Sequence, residues 1–114
     1  MTEQVTALDL PPEEPLPEDI AVYFGKCQDK LGMIPNVLLA HAFDAEKLRA
    51  FSGMYNDLML APSGLTKAER EMIVVATSNA NQCQYCVVAH GAILRIRAKN
   101  PLVADQVAVN YRKA

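Results

Sequence analysis

Two cysteines and a histidine fall within eight residues, Cys83-Gln84-Tyr85-Cys86 followed by Val87-Val88-Ala89-His90. If this stretch is helical, the spacings of three, four and seven residues place all three side chains on one narrow face, at ~100° per residue. A thiol pair so spaced can cycle between dithiol and disulfide, and an imidazole one turn away can take a thiol proton near neutral pH. Cys83 stands nearest the start of the helix, where free backbone N–H groups stabilise a thiolate. It is therefore expected to be the exposed member of the pair. Cys86 lies one turn inside and His90 a further turn on. The imidazole needs an acidic group to hold its tautomer. Glu71 is the candidate, because it precedes the apolar run Met72-Ile73-Val74-Val75-Ala76 and a carboxylate on so apolar a helix requires a polar partner.

Other chemistries fit the same residues less well. A structural zinc site wants four ligands, whereas only three are close here and Cys27 is the only spare thiol. Covalent haem attachment needs histidine directly after the second cysteine, and Val87 occupies that place. Unreactive buried cysteines are common, since a free thiol packs as a small hydrophobe; redox spacing plus a nearby histidine favours a dithiol site over that alternative. Cys27 itself has no partner by spacing and reads as core filling. His41, in Leu38-Leu39-Ala40-His41-Ala42-Phe43, reads as a packed or surface histidine.

The elements that must position these groups read as helices, with no convincing strand. Ile20, Tyr23, Phe24, Cys27 and Leu31 follow the i, i+3, i+4, i+7 pattern over residues 19–31, with Asp19 as N-cap and Gly32 as stop. Met33-Ile34-Pro35-Asn36 reads as a turn, and a short helix is expected from Val37 to about Phe43. Asp44 caps a third helix carrying Leu48, Phe51, Tyr55, Leu58 and Met59 on one side, broken by Ala61-Pro62-Ser63-Gly64. Thr66-Lys67-Ala68-Glu69 is a capping box, which engages Glu69 and leaves Glu71 free for His90. The helix it opens is apolar all round and is expected to be central. Another helix is expected from Cys83 or just before it to about Lys99. Asn100 and Pro101 then open the last one, closed by Arg112 and Lys113. The expected fold class is all-α.

Composition bounds the function. The chain has 114 residues, 51% of them hydrophobic and 21% charged, a globular composition of single-domain length. Thirteen acids against eleven bases give a net charge of −2, so no overall field attracts nucleic acid. Arg95, Arg97 and Lys99, interrupted by Ile96 and Ala98, read as a solvated helix face rather than a nucleic-acid patch. No apolar run is long enough to span a membrane. Met1 to Leu10 carries no basic and apolar leader, and three cysteines, an odd number, do not make a secreted disulfide framework. The expected location is the reducing cytoplasm. Residues 1–19 hold six acids and no base, and four of the seven prolines fall in Pro11 to Pro17. This segment is expected to be an extended, non-helical arm, either solvated or laid across a neighbouring subunit, with one helical domain over residues 20–114.

The run of Glu71, eleven intervening residues, Cys83-x-x-Cys86 and His90 resembles the signature of the alkylhydroperoxidase D family within the carboxymuconolactone decarboxylase-like superfamily. The stretches LGMIPNVLLAHA, LRAFSGMYNDLM and LTKAEREMIVVATSNANQCQYCVVAHGAILR are similar to its peroxidase-related branch. The resemblance covers nearly all of the chain after the acidic segment. It implies a compact all-helical bundle, homo-oligomers (trimers or trimer-based hexamers) and thiol-dependent reduction of small hydroperoxides, with a thiol or disulfide reductant protein as partner and no cofactor or metal. It further implies that Cys86 attacks the peroxide and becomes a sulfenic acid, that Cys83 resolves it to a disulfide, and that Glu71 and His90 relay the proton. The best-studied members have histidine between the cysteines, where this chain has Tyr85, whose phenol does not titrate near pH 7. Members of the branch usually continue with further helices, so the resemblance implies a shortened member or half of a longer protein. The competing functions are a decarboxylase of the same fold, whose relatives generally lack the cysteine pair, and a non-catalytic redox sensor or helical oligomerisation module.

Overall fold

The computed structural model describes residues 6–114; residues 1–5, including Glu3 of the acidic segment, lie outside that range. The described residues form six helices and no strand: α1 (Glu18–Leu31), α2 (Asn36–Ala40), α3 (Ala45–Leu60), α4 (Lys67–Ala80), α5 (Gln84–Ala98) and α6 (Pro101–Asn110). They divide into two compact units, Met1–Tyr55 and Asn56–Ala114, with the boundary inside the C-terminal part of α3.

The first unit is built on an apolar core. Ile20, Phe24 and Cys27 of α1 meet Leu38 and Ala42 around α2, and Ala45 and Leu48 of α3, with Leu16, Ile34, Leu39 and Phe51 packed at the margin. The helical spacing of the α1 residues is the one legible in the sequence, but Tyr23 and Leu31 remain 44% and 62% exposed. Helix α1 starts at Glu18 after Pro17, so Asp19 lies in its first turn instead of capping it. The Asp19 carboxylate instead accepts two hydrogen bonds from Arg49, at 2.8 and 2.9 Å. Gly32 ends the helix in the left-handed region at φ 72°, where a residue without Cβ carries no steric cost. Helix α2 stops at Ala40, short of Phe43, and His41 is packed: Nδ1 lies 2.7 Å from the Val37 carbonyl and the ring stacks on Phe51.

Residues 6–17 contain no helix or strand, in keeping with their prolines, and Glu13 ties them to the same chain. Its N–H donates to the Ala42 carbonyl, and its carboxylate accepts from the Ala45 N–H at 2.9 Å. This places a negative charge at the N-terminus of α3, where it opposes the positive end of the helix dipole. Asp44 caps the same helix end by accepting from the Glu46 and Lys47 N–H groups. Along α3, Leu48 and Met59 are buried, while Leu58 of the expected apolar side is 62% exposed.

In the second unit α4, α5 and α6 pack pairwise around Val75, Leu94, Ala104 and Val107. Before it, residues 61–65 are gathered by Arg70, whose Nη2 donates to the carbonyls of Ala61 and Leu65 and to Ser63 Oγ. The capping box is complete: Thr66 Oγ1 accepts from the Glu69 N–H, and Glu69 accepts from the Thr66 N–H. The Asn100 side chain caps α6 over the Leu102 N–H, with Pro101 in the first turn. Arg112 and Lys113 lie beyond Asn110, past the end of α6. Helix α4 differs from the expectation of an all-round apolar, central helix. Its buried residues are Arg70, Glu71, Val75 and Ser78, whereas Ile73 is 53% exposed. The face turned inward is therefore not set by hydrophobicity alone.

Candidate active site

The candidate residues are placed by the junction between α4 and α5. Helix α4 ends at Ala80 with Asn81 as C-cap, and Gln82 follows in the left-handed region at φ 56°. The Gln82 N–H donates to the Asn79 carbonyl and the Cys83 N–H to the Ser78 carbonyl, both at 2.9 Å. This paired pattern is the Schellman closure of a helix, here with glutamine where glycine is usual. Cys83 is also the N-cap residue of α5, so one residue completes the first helix and opens the second. Asn79 Nδ2 donates to the Ala108 carbonyl, which fastens α6 to the same end of α4.

Cys83 and Cys86 are free thiols, partly exposed, with sulfurs 2.7 Å apart. The hydrogen bond between them polarises the pair. The Cys86 thiol, and after it the Cys86 backbone N–H, hold the Cys83 thiol below its ordinary pKa, although the Cys83 sulfur makes no formal cap hydrogen bond. The same hydrogen bond, burial and the charge on Cys83 push the Cys86 thiol up, against a smaller opposite pull from the Ser78 hydroxyl. Cys83 is thus the more readily ionised thiol of the pair and Cys86 the less readily ionised. Two turns into the unit, His90 Nδ1 lies 2.7 Å from Glu71 Oε2, with side chains 18% and 7% exposed. A carboxylate this buried needs a strong partner, and an imidazole fixed through Nδ1 has its Nε2 as the remaining ring nitrogen.

The structure places the four residues singled out in the sequence as two contacting pairs. Cys83 and Cys86 touch, Glu71 and His90 touch, and Cys86 and His90 stand one turn apart on α5. Cys27 is buried in the core of the first unit and His41 stacks on Phe51. The sequence reading passed over Ser78, which is buried and borders both cysteines. The signal was its position seven residues after Glu71, on the same face of α4. A shallow hollow of about 300 Å³ opens beside Cys83, lined by Asn79, Gln82, Gln84, Val87 and Val88. The group lining it carries no formal charge.

Among the described residues the secondary structure is helical throughout, with the buried Glu71–His90 pair one turn from Cys86. Residues 45–107, more than half of the chain, match the Carboxymuconolactone decarboxylase family. The chain is 54% identical to an uncharacterized peroxidase-related protein from a Silicibacter species, with a TM-score of 0.85, over 98% of this chain and 59% of that one. It is 57% identical to a structure described as an alkylhydroperoxidase AhpD core, an uncharacterized peroxidase-related protein from Ralstonia eutropha, with a TM-score of 0.82, over 99% of this chain and 60% of that one. The chain thus spans about 60% of the length of these two structures. A search of the curated proteins returns no match. The chain belongs to the carboxymuconolactone decarboxylase family, and its fold is the all-α fold of the AhpD-like proteins. Among the described residues no helix is long and apolar enough to cross a membrane.

Proposed function

We propose that the protein is a thiol-dependent peroxidase that reduces small hydroperoxides through a dithiol/disulfide cycle of Cys83 and Cys86. The observation that carries this reading is the 2.7 Å Glu71–His90 pair set one turn beyond two thiols in contact. The Cys86 proton passes to His90, whose orientation Glu71 holds, and the Cys86 thiolate attacks the terminal peroxide oxygen. The O–O bond breaks, the alcohol leaves with the proton from His90, and Cys86 becomes a sulfenic acid. The Cys83 thiolate then attacks the Cys86 sulfur, hydroxide leaves as water with a proton from the site, and an intramolecular disulfide results. An external dithiol, free or carried on a reductant protein, returns the pair to thiols and is itself oxidised. The lowered pKa of Cys83 suits both its attack on the sulfenic acid and its departure when the disulfide is reduced.

Apolar residues exposed on the single chain, among them Tyr85, Val88, Ile96 and Val109, support assembly into homo-oligomers, in keeping with trimers or hexamers. Light scattering at micromolar concentration is expected to give at least two chains, and a clean monomer counts against this part. The test of the activity is consumption of an alkyl hydroperoxide with a dithiol reductant, together with mass spectrometry of the peroxide-treated protein. Turnover with loss of two hydrogens across the Cys83–Cys86 peptide is expected. A reversible disulfide without turnover would replace the peroxidase with a redox sensor.

A further inference from the structure

Helices α4 and α5 run antiparallel in constant register. Glu71 pairs with His90 at one end, and the Ser78 carbonyl accepts from the Cys83 N–H at the other. The advance of seven residues along α4 matches the retreat of seven along α5. Within this register α4 turns two buried polar side chains toward the reactive face of α5, Glu71 at the imidazole and Ser78 at the thiols, with Val75 between them. Glu71 is engaged by His90. Ser78 is only 8% exposed, and a hydroxyl so enclosed is expected to have a hydrogen-bond partner. Its hydroxyl pulls the Cys86 thiol down, against the larger upward push of Cys83 and burial. Serine in a helix interior is also a poorer helix former than alanine, which would fill the same space.

We propose that Ser78 is a positioning residue of the dithiol site: its hydroxyl donates to the Cys86 sulfur while its carbonyl fixes the Cys83 backbone, so that one residue of α4 sets both thiols. The hydroxyl then stabilises the Cys86 thiolate formed at the moment of attack. This rests on the dithiol reading of the site. The groups able to compete for the same sulfur are Cys83 and His90 on α5 and Glu71 on α4. From α6 the core receives Ala104 and Val107, and Asp105 is paired with Arg95.

The experiment follows alkylation of each cysteine of the reduced full chain against pH, read by peptide mass spectrometry. Four proteins are compared: the parent, Ser78→Ala, and the near-isosteric pair Ser78→Thr and Ser78→Val. Loss of the hydroxyl in Ala and Val is expected to raise the Cys86 midpoint by about one pH unit, the size of one hydrogen bond to a charged group, with Thr close to the parent. Equal midpoints in Thr and Val, or an unchanged midpoint in Ala, overturn the proposal. If Ala does not fold, the Thr and Val pair decides. Because thiol titration needs no peroxide, absence of turnover in the parent would overturn the peroxidase and leave this result standing. Turnover with Ser78 shown to be inert would do the reverse.

Discussion

The two units bury different kinds of residue. The first closes over Ile20, Phe24, Cys27, Leu38 and Leu48, all apolar, and its cysteine is sealed inside. The second closes over Val75, Leu94, Ala104 and Val107, yet its first helix turns Arg70, Glu71 and Ser78 inward as well and keeps its two cysteines partly exposed. Buried polar groups gain little net stability over apolar ones and cost much when left unpaired. The second unit therefore forgoes apolar packing around the thiols in return for an oriented imidazole. Cys27 sits in the first kind of surroundings, Cys83 and Cys86 in the second.

The comparison breaks most sharply on turnover. Cys86→Ser is expected to abolish peroxide consumption, while Cys27→Ser leaves it within about a factor of two. His90→Ala and Glu71→Gln should each slow it by ~10²-fold or more, as for loss of a positioned base. The double variant should be little worse than either alone, because the pair acts as a unit. Rates for Glu71→Gln close to the parent would sink the relay and leave Cys86 to be activated by the helix terminus and its immediate neighbours.

Stability should sort the other way. Leu48, 2% exposed in the first unit, is expected to cost roughly 2–5 kcal/mol on truncation to alanine, measured by urea denaturation. Glu71→Gln should cost clearly less than that. A smaller loss for Leu48→Ala than for Glu71→Gln would mean that the packing contrast between the units has been misread.

The two thiols of the site sharpen the contrast on a finer scale. As pH rises from neutrality in the reduced protein, Cys83 should become alkylated first, with its midpoint below the ordinary thiol range, and Cys86 last, with its midpoint above it. Replacing Cys86 by serine weakens the donor that favours the Cys83 thiolate, so the Cys83 midpoint should rise. A Cys86 that reacts before Cys83 in the parent would reverse the assignment.

The smallest effect belongs to the surface of the first unit. Arg49 holds the Asp19 carboxyl below the usual range. A depressed carboxylate contributes stability that is complete above its unfolded pKa of about 3.9 and is lost as pH falls through the folded value. Asp19→Asn should therefore lower Tm slightly at pH 7 at low salt, and the gap should close in acid or in high salt, because exposed pairs are weak and screened. A gap that persists in acid would have to arise from something other than the ion pair.

Much of this could be read before any coordinates. Local chemistry was legible: the Thr66–Glu69 capping box, the Asn100–Pro101 start, the Gly32 stop and the Cys83–Cys86–His90 face depend on residues close in sequence. Helix ends set by competition were less so. Asp19 was read as a cap, but Pro17 lies before the first turn and Arg49, thirty residues away, takes the carboxylate. The expectation that α4 is apolar all round and central likewise gave no inward face, and the structure has one, with Glu71 and Ser78 buried and Ile73 exposed. A run such as Ile73-Val74-Val75 does not say which way it turns, and the choice rests with His90, Cys83 and the other groups that meet Glu71 and Ser78. Glu13 as a tie between Ala42 and Ala45 could not be foreseen from an acidic, proline-rich segment with no periodicity.

The junction at Cys83 also bears on chain length. Asn81, Gln82 and Cys83 are all engaged in closing one helix, and Cys83 opens the next, so the turn holds no spare residue. One residue more or fewer would break the closure or turn α5 by ~100°, carrying His90 away from Glu71 even with every reactive side chain still encoded. Insertions here should thus be as damaging as loss of a thiol. A glycine inserted after Asn81 tests this by peroxide turnover. If the proposed relay holds, the eleven-residue interval between Glu71 and Cys83 is a fixed count that substitution scans alone would not reveal.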